Sequence, residues 1–384
     1  MRQAIKAFSL GPGVVVCILL CEAHTFAQSV EYSVTELSAP SYDHSYAYGI
    51  NNDGQVVGST YTGSNRFPHA FLYSGGSMHD LGTVPGCNSS YAYGINDNGQ
   101  VVGNACTGSN RFAHAFLYSG GSMLNLGTVP GRSSSYAYEI NENGQVVGNG
   151  YTRSNRFPHA FLYSGGSMHD LGTVPGYRSS YAYGINEDGQ VVGDAYTRSN
   201  RFPHAFLYSG GLMIDLNSLI ATNSGWTLEE ATAINNDGEI VGNAYTRSGK
   251  FPRAFLYSDG SMLSLGTVPG YNSSYAHGIN DDGQVVGSAG TRSSRLPHAF
   301  LYSGGLMMDL NSLIATNSGW TLEVATAIND NGQIVGEGID PGGNQEAFLL
   351  TPDPVPEPAT LGLLALGIGV LFAGRKLHQR SLPG

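Results

Sequence analysis

Charge is scarce in this chain. Asp, Glu, Lys and Arg make up 12% of its 384 residues, acids outnumber bases 29 to 18, and the formal net charge is −11. There is no basic stripe and no nucleic-acid module, and Lys250 is the only lysine between residues 28 and 358, which excludes nucleic acid as a partner. Cysteine is scarcer: of four, only Cys87 and Cys106 follow the first 27 residues, too few to build a metal site. An apolar period of 3.6 residues is missing, which excludes a helical solenoid. Neither a Ser-His-Asp set standing apart from the rest nor a phosphate-cradling loop is present, so nothing reads as an enzyme site or implies a cofactor.

Glycine, at 54 residues, is what the chain has in excess, and it marks turns. Within Ser180 to Asn217, apolar and aromatic residues alternate in four short segments: Tyr181 to Asn186, Gln190 to Tyr196, His204 to Ser209 and Leu212 to Asn217. Gly189 closes the first turn by supplying positive φ, and Gly210 and Gly211 close the last. The unit recurs. The Ile of its "IN" pair falls at Ile50, Ile95, Ile140, Ile185, Ile234, Ile279 and Ile328, at spacings of 45, 45, 45, 49, 45 and 49. Seven copies of four strands at that length predict an all-β, seven-bladed β-propeller.

The strand count predicts how the ring closes. After Phe348 the chain reads LLTPDPVPEP and offers no fourth strand, whereas Tyr32 to Ser38 stands alone before the first copy. That segment is expected to complete the last blade, joining the ends and removing open sheet edges. The first strand should be apolar on both faces. Its fourth position is Gly49, Gly94, Gly184, Ala233, Gly278 or Ala327, but Glu139 in the third copy, a carboxylate that needs the central channel or a partner.

The first 27 residues read as a secretory signal: Arg2 and Lys6, an apolar run from Gly13 to Leu20, and a small residue ending Thr25-Phe26-Ala27. A lipoprotein signal at Cys21 is the alternative, opposed by Leu19 and Leu20, and the run is short for an uncleaved anchor. At the other end Val355-Pro356-Glu357-Pro358 precedes an apolar run, Ala359 to Ala373, and then Arg375, Lys376 and Arg380. At about 1.5 Å per residue the run spans about 22 Å, short for a bilayer core of about 30 Å. The basic cluster would hold the tail on the cytoplasmic side. The domain plan is a signal peptide over 1–27, a propeller over 28–352, a linker with the Pro-Glu-Pro motif over 353–358, a transmembrane segment over 359–374 and a basic tail over 375–384.

Motif, apolar segment and basic cluster in this order resemble the PEP-CTERM sorting signal, which an exosortase recognises in Gram-negative bacteria and which is associated with exopolysaccharide production and surface export. The resemblance implies that Pro356, Glu357 and Pro358 form the recognition motif, flanked by Val355 and by Arg375 and Lys376. It also implies an exosortase-type protease as partner and a transient stay in the inner membrane before the tail is removed. The recurring "HAFLYSGG" is similar to the HAF family of extracellular repeat proteins over all seven units, with Arg253 and Glu346 in place of His in two copies. That likeness implies location and architecture and brings no defined activity.

Several recurring residues invite a functional reading beside a structural one. His69, His114, His159, His204 and His298 would circle the axis at one level, but ligands one blade apart are too distant to share an ion, so bonding within or between blades is preferred. The NNDG-type turns carry oxygen ligands yet lack the Asp ladder and terminal Glu of a calcium loop, and turn formation accounts for them. Cys87 and Cys106 flank the second hairpin; in an oxidising compartment a disulfide is the preferred reading against two free thiols. Tyr91, Tyr136 and Tyr181, which begin first strands, and Arg153, Arg198, Arg247 and Arg292, in the "TRS" loops, form the candidate ligand surface, since aromatic faces beside polar donors suit sugars. Tyrosine is also an ordinary strand residue. The reading is an exported, non-catalytic surface or biofilm-matrix protein that binds exopolysaccharide by weak multivalent contacts. The alternatives are an envelope protein with no ligand, and a polysaccharide-degrading propeller in which Glu139 is the first carboxylate to examine.

Overall fold

The computed structural model describes residues 8–9, 15–16, 30–38, 44–62, 65–106, 112–153, 157–197, 203–246, 249, 251–291 and 296–354. Residues 31–353 form one compact unit of seven four-stranded antiparallel sheets, a seven-bladed β-propeller. A second unit contributes, among the described residues, the short strand pair Phe8–Ser9 with Val15–Val16. The expected signal peptide otherwise lies outside the described residues, as do the Pro-Glu-Pro motif and the apolar tail. No helix among the described residues is long and apolar enough to cross a membrane.

Blade 4 shows how the repeat folds: Ser179–Ile185, Val191–Tyr196, His204–Ser209 and Leu212–Asp215 pair in sequence order. Gly189 turns the first hairpin at φ 72°. The fourth strand stops two residues before the expected Asn217, because Asp215 caps a single 3-10 turn, Leu216–Ser218, by accepting from Asn217 N–H. The same turn recurs at Leu310–Ser312, and these two insertions account for the two 49-residue spacings.

Each blade's first strand lies against the first strand of the next, and that of blade 7 against that of blade 1. First strands therefore line the axis and fourth strands form the rim. Closure is as the strand count predicts: Tyr32–Glu36 pairs antiparallel with Gln345–Pro352, from Tyr32 opposite Pro352 to Glu36 opposite Phe348.

The core lies between blades. Phe71, Phe116, Phe161, Phe206, Phe255, Phe300 and Phe348 are fully buried, each worth on the order of 2–3 kcal/mol of apolar burial. The glycine of "VVG" on the second strand has a steric cause. The first strand carries a bulge between Ala92 and Gly94, and a Cβ on Gly103 would stand 1.8 Å from the Tyr91 carbonyl oxygen. Serines latch blade to blade: Ser90 Oγ accepts from Ala70 N–H at 2.9 Å and donates to the Gly82 carbonyl at 2.6 Å, and Ser135, Ser180 and Ser274 repeat both bonds.

Candidate functional site

The axis has two ends, and they differ in chemistry. At the end carrying the NNDG-type turns, each turn asparagine reaches the next blade: Asn51 Nδ2 donates to the Asn96 carbonyl at 3.0 Å, and the relay passes through Asn141, Asn186, Asn235, Asn280 and Asn329 back to Asn51. A second closed cycle runs outside it. The backbone N–H of each following residue donates to the side-chain oxygen of its counterpart, from Asn52 to Asp97 at 2.7 Å and so on to Asp330, whose N–H donates to Asn52 Oδ1 at 2.9 Å. These side chains border an axial cavity of about 170 Å³. Their oxygens, considered above as calcium ligands, accept hydrogen bonds from the protein.

At the opposite end the first strands begin, and the residues there are aromatic on one side and acidic on the other. Tyr48, Tyr93, Tyr138 and Tyr183 occupy one register position in blades 1–4, with ring centroids 5.2, 5.4 and 5.9 Å apart in succession. Two residues earlier stand Tyr46, Tyr91, Tyr136 and Tyr181. Tyr91 and Tyr181 stack on Tyr93 and Tyr183, while Tyr46, Tyr136 and Tyr181 meet the second-strand rings of Tyr61, Tyr151 and Tyr196 edge-on. Burial pushes the phenols of Tyr48 and Tyr138 up to about 12, so the arc is uncharged and keeps its donors at neutral pH.

Blades 5–7 break the arc. The inner position reads Thr232, His277 and Thr326, and the outer one Glu230, Tyr275 and Val324. Desolvation holds the His277 imidazole neutral, its pKa pushed down to about 4. Between the two sectors lies Asp194, 1% exposed, where other blades carry Ser59, Asn104, Asn149, Asn243, Ser288 or Glu337. Tyr183 donates to Asp194 Oδ1 at 3.4 Å and Tyr196 stands beside the carboxyl, but Oδ2 has no hydrogen-bond partner. Burial, and then the neighbouring Glu230, hold Asp194 well above the usual carboxylate range. Glu230 is half-buried and accepts from Asn243 Nδ2 at 2.8 Å.

The structure thus brings Tyr91, Tyr136 and Tyr181 together at one mouth. Arg153 is exposed in its loop with the guanidinium 5.9 Å over the Phe112 ring, and Arg198, Arg247 and Arg292 lie outside the described residues. The histidines begin third strands, two strands out from the axial lining, which corrects the axial ring. His69, His159, His204 and His298 bond through Nδ1 to Asp80, Asp170, Asp215 and Asp309 at 2.7–3.0 Å. In blade 2 the partner position is Asn125, and His114 Nδ1 is left without one. Cys87 and Cys106 are free thiols in place of the expected disulfide: the register sets Ser89 opposite Cys106, with Oγ 2.9 Å from Sγ, and Cys87 sits in the turn after Val84. Glu139 folds over Gly94 of blade 2, its Oε1 accepting from Ile140 N–H at 3.1 Å. Desolvation raises its pKa to about 7, and no second carboxylate contributes to the shift.

Comparison with known proteins adds family and sorting signal. Residues 86–173, 170–264 and 230–347 match a family described as "Protein of unknown function (DUF3466)", and residues 354–376 match the PEP-CTERM protein-sorting motif. No curated protein matches the chain significantly. Among solved structures, a putative TolB from Agrobacterium tumefaciens is 14% identical with a TM-score of 0.41, covering 73% of this chain and 95% of that one. A gluconolactonase from Xanthomonas campestris is 9% identical, TM-score 0.41, covering 86% and 93%. Dipeptidyl peptidase 4 from Porphyromonas gingivalis is 9% identical, TM-score 0.43, covering 80% and 53%. At these values the three carry no argument about activity. The sorting motif marks an exported protein processed by an exosortase.

Proposed function

The chain belongs to the DUF3466 family, and we propose that it acts as a non-catalytic surface or matrix propeller that holds extracellular polysaccharide at its tyrosine-lined axial mouth. The sorting motif supports export, and through it a short stay at the inner membrane before an exosortase removes the tail. The observation that carries the binding reading is the unbroken run of rings from Tyr48 through Tyr93 and Tyr138 to Tyr183, with Tyr91, Tyr136 and Tyr181 beside it. Half-buried aromatic faces offer flat apolar area to the C–H faces of sugar rings, and the neighbouring carboxyls and hydroxyls offer a few fixed polar contacts. Because blades 5–7 lack the tyrosine pair, the ligand surface is one composite site in place of seven equivalent ones. Affinity per molecule is then modest, and a matrix gains avidity from many copies. The exopolysaccharide association of the sorting signal points the same way.

A glycan array probed with the full-length chain tests this reading. Retention on polysaccharides, weakened at least tenfold by Tyr138→Ala, is the expected result. Retention on none of them, the producer's own exopolysaccharide included, overturns it and leaves an envelope protein without a specific ligand.

A further inference from the structure

Outside the tyrosine arc, at the same end of the axis, three connections around blade 3 converge on one phenylalanine. Phe157 has φ 56°, the left-handed region that a bulky side chain resists, and its described counterparts Phe67, Phe112, Phe251 and Leu296 do not share it. Arg132 holds it there. The Arg132 side chain is 9% exposed, Nη1 donates to the Phe157 carbonyl at 2.6 Å, and Nη2 lies 3.6 Å from Asp170. The Phe157 ring is left 37% exposed, and Arg178, in the connection into blade 4, sets its guanidinium 5.7 Å over it. One blade back, Arg153 stands over Phe112 in the same way at 5.9 Å.

The fold does not ask for these arginines. The position of Arg132 is Cys87, Tyr177 or Tyr271 in other blades, where Tyr177 and Tyr271 cover His204 and His298, and that of Arg178 is Asn88, Ser133 or Asn272. Backbone strain of this kind persists only where its surroundings impose it, and it clusters at ligand sites. Here it presents an aromatic ring beside a fixed positive charge. A guanidinium held over a ring keeps N–H donors free at its edge, and a fork of donors matches a carboxylate or a sulfate. Arg153 and Arg178 are both exposed, and among the described residues neither forms an ion pair. Asp170 is taken up by His159 and Arg132, and the connections that meet here, 128–133, 152–158 and 173–178, contain no Asp or Glu.

We infer that blades 2–4 carry a subsite for the anionic groups of an acidic polysaccharide, Arg153 and Arg178 pairing with carboxylates or sulfates while Phe157 offers apolar area to a sugar ring. It rests on the reading that the tyrosine mouth holds sugar. It also lies on the tyrosine side of that mouth, on other blades than Glu230 and Glu337.

Calorimetric titration of the full-length chain at low salt with a uronate, a sulfated and a neutral oligosaccharide of equal length tests it. The uronate oligomer, the sulfated one or both should bind at least tenfold more tightly than the neutral one, and which of them does so names the group. Arg153→Gln combined with Arg178→Gln should bring that affinity to within about twofold of neutral binding. Phe157→Asn, which tolerates the same φ, should weaken it at least threefold with an unchanged circular dichroism spectrum. Neutral binding should respond to Tyr138→Ala and not to the arginine changes. Equal affinity for all three oligomers, or a preference that survives the double substitution, overturns the inference and leaves the aromatic mouth standing. Acidic-sugar binding that the arginine changes abolish and Tyr138→Ala leaves untouched keeps this subsite and removes the mouth. Binding of none of the three by the unaltered chain removes both.

Discussion

Asn329 Nδ2 donates to the Asn51 carbonyl at 2.9 Å and so bonds the last blade to the first across 278 residues of chain. The same asparagine donates to Gln333 Oε1 and accepts from Gln333 N–H, both at 2.9 Å, so one amide braces its own hairpin and the ring together. Asn329→Ala removes three hydrogen bonds and strands a buried carbonyl. It should cost about 2–3 kcal/mol in urea denaturation. Asn141→Ala, in the interior of the same cycle, should cost as much, because in a closed ring no position is terminal.

Glu139 makes stability depend on pH. Its carboxyl has a pKa of about 7 in the fold against an ordinary value near 4.5, so the folded state favours the protonated form. Stability is therefore full below about pH 4.5, declines as pH rises through 7, and stays lower above it. The loss amounts to about 3 kcal/mol from a shift of this size. Glu139→Gln should match the parent in urea midpoint at pH 4.5 and exceed it at pH 8. Equal midpoints at both pH values would show that the carboxyl titrates normally.

Blade 2 lacks the His–Asp pair that four other blades have. His114 Nδ1 is buried without a partner because its partner position is Asn125. Asn125→Asp should restore the pair seen between His69 and Asp80 at 2.8 Å and raise stability by about 0.5–1 kcal/mol at pH 6. A fall in the thermal midpoint would contradict this.

The propeller and its closure could be read from sequence because the period is regular and the one orphan strand, Tyr32–Glu36, lies where a count leaves a gap. The sequence also singles out Tyr91, Tyr136 and Tyr181, which the structure sets beside the inner tyrosines at one end of the axis, where the proposed ligand surface lies. The sequence does not set apart their inner neighbours Tyr93, Tyr138 and Tyr183, since alternation in a strand does not say which residue is the bulged one facing the axis. Asp194 and Glu230, the acidic departures at this end of the axis, are hidden for a different reason. Each departs from its copies at a single position, and only stacking the repeats in register shows that Asp194 replaces an asparagine and Glu230 a tyrosine beside it. The disulfide expectation failed on a shift of two residues, which spacing along the chain does not resolve.

The central claim is that the tyrosine arc binds polysaccharide, and co-sedimentation of the full-length chain with the producer's own exopolysaccharide measures it most directly. The account predicts saturable sedimentation that Tyr93→Ala and Tyr138→Ala each reduce at least tenfold in affinity while leaving the circular dichroism spectrum unchanged. Sedimentation undiminished in both folded variants would contradict it.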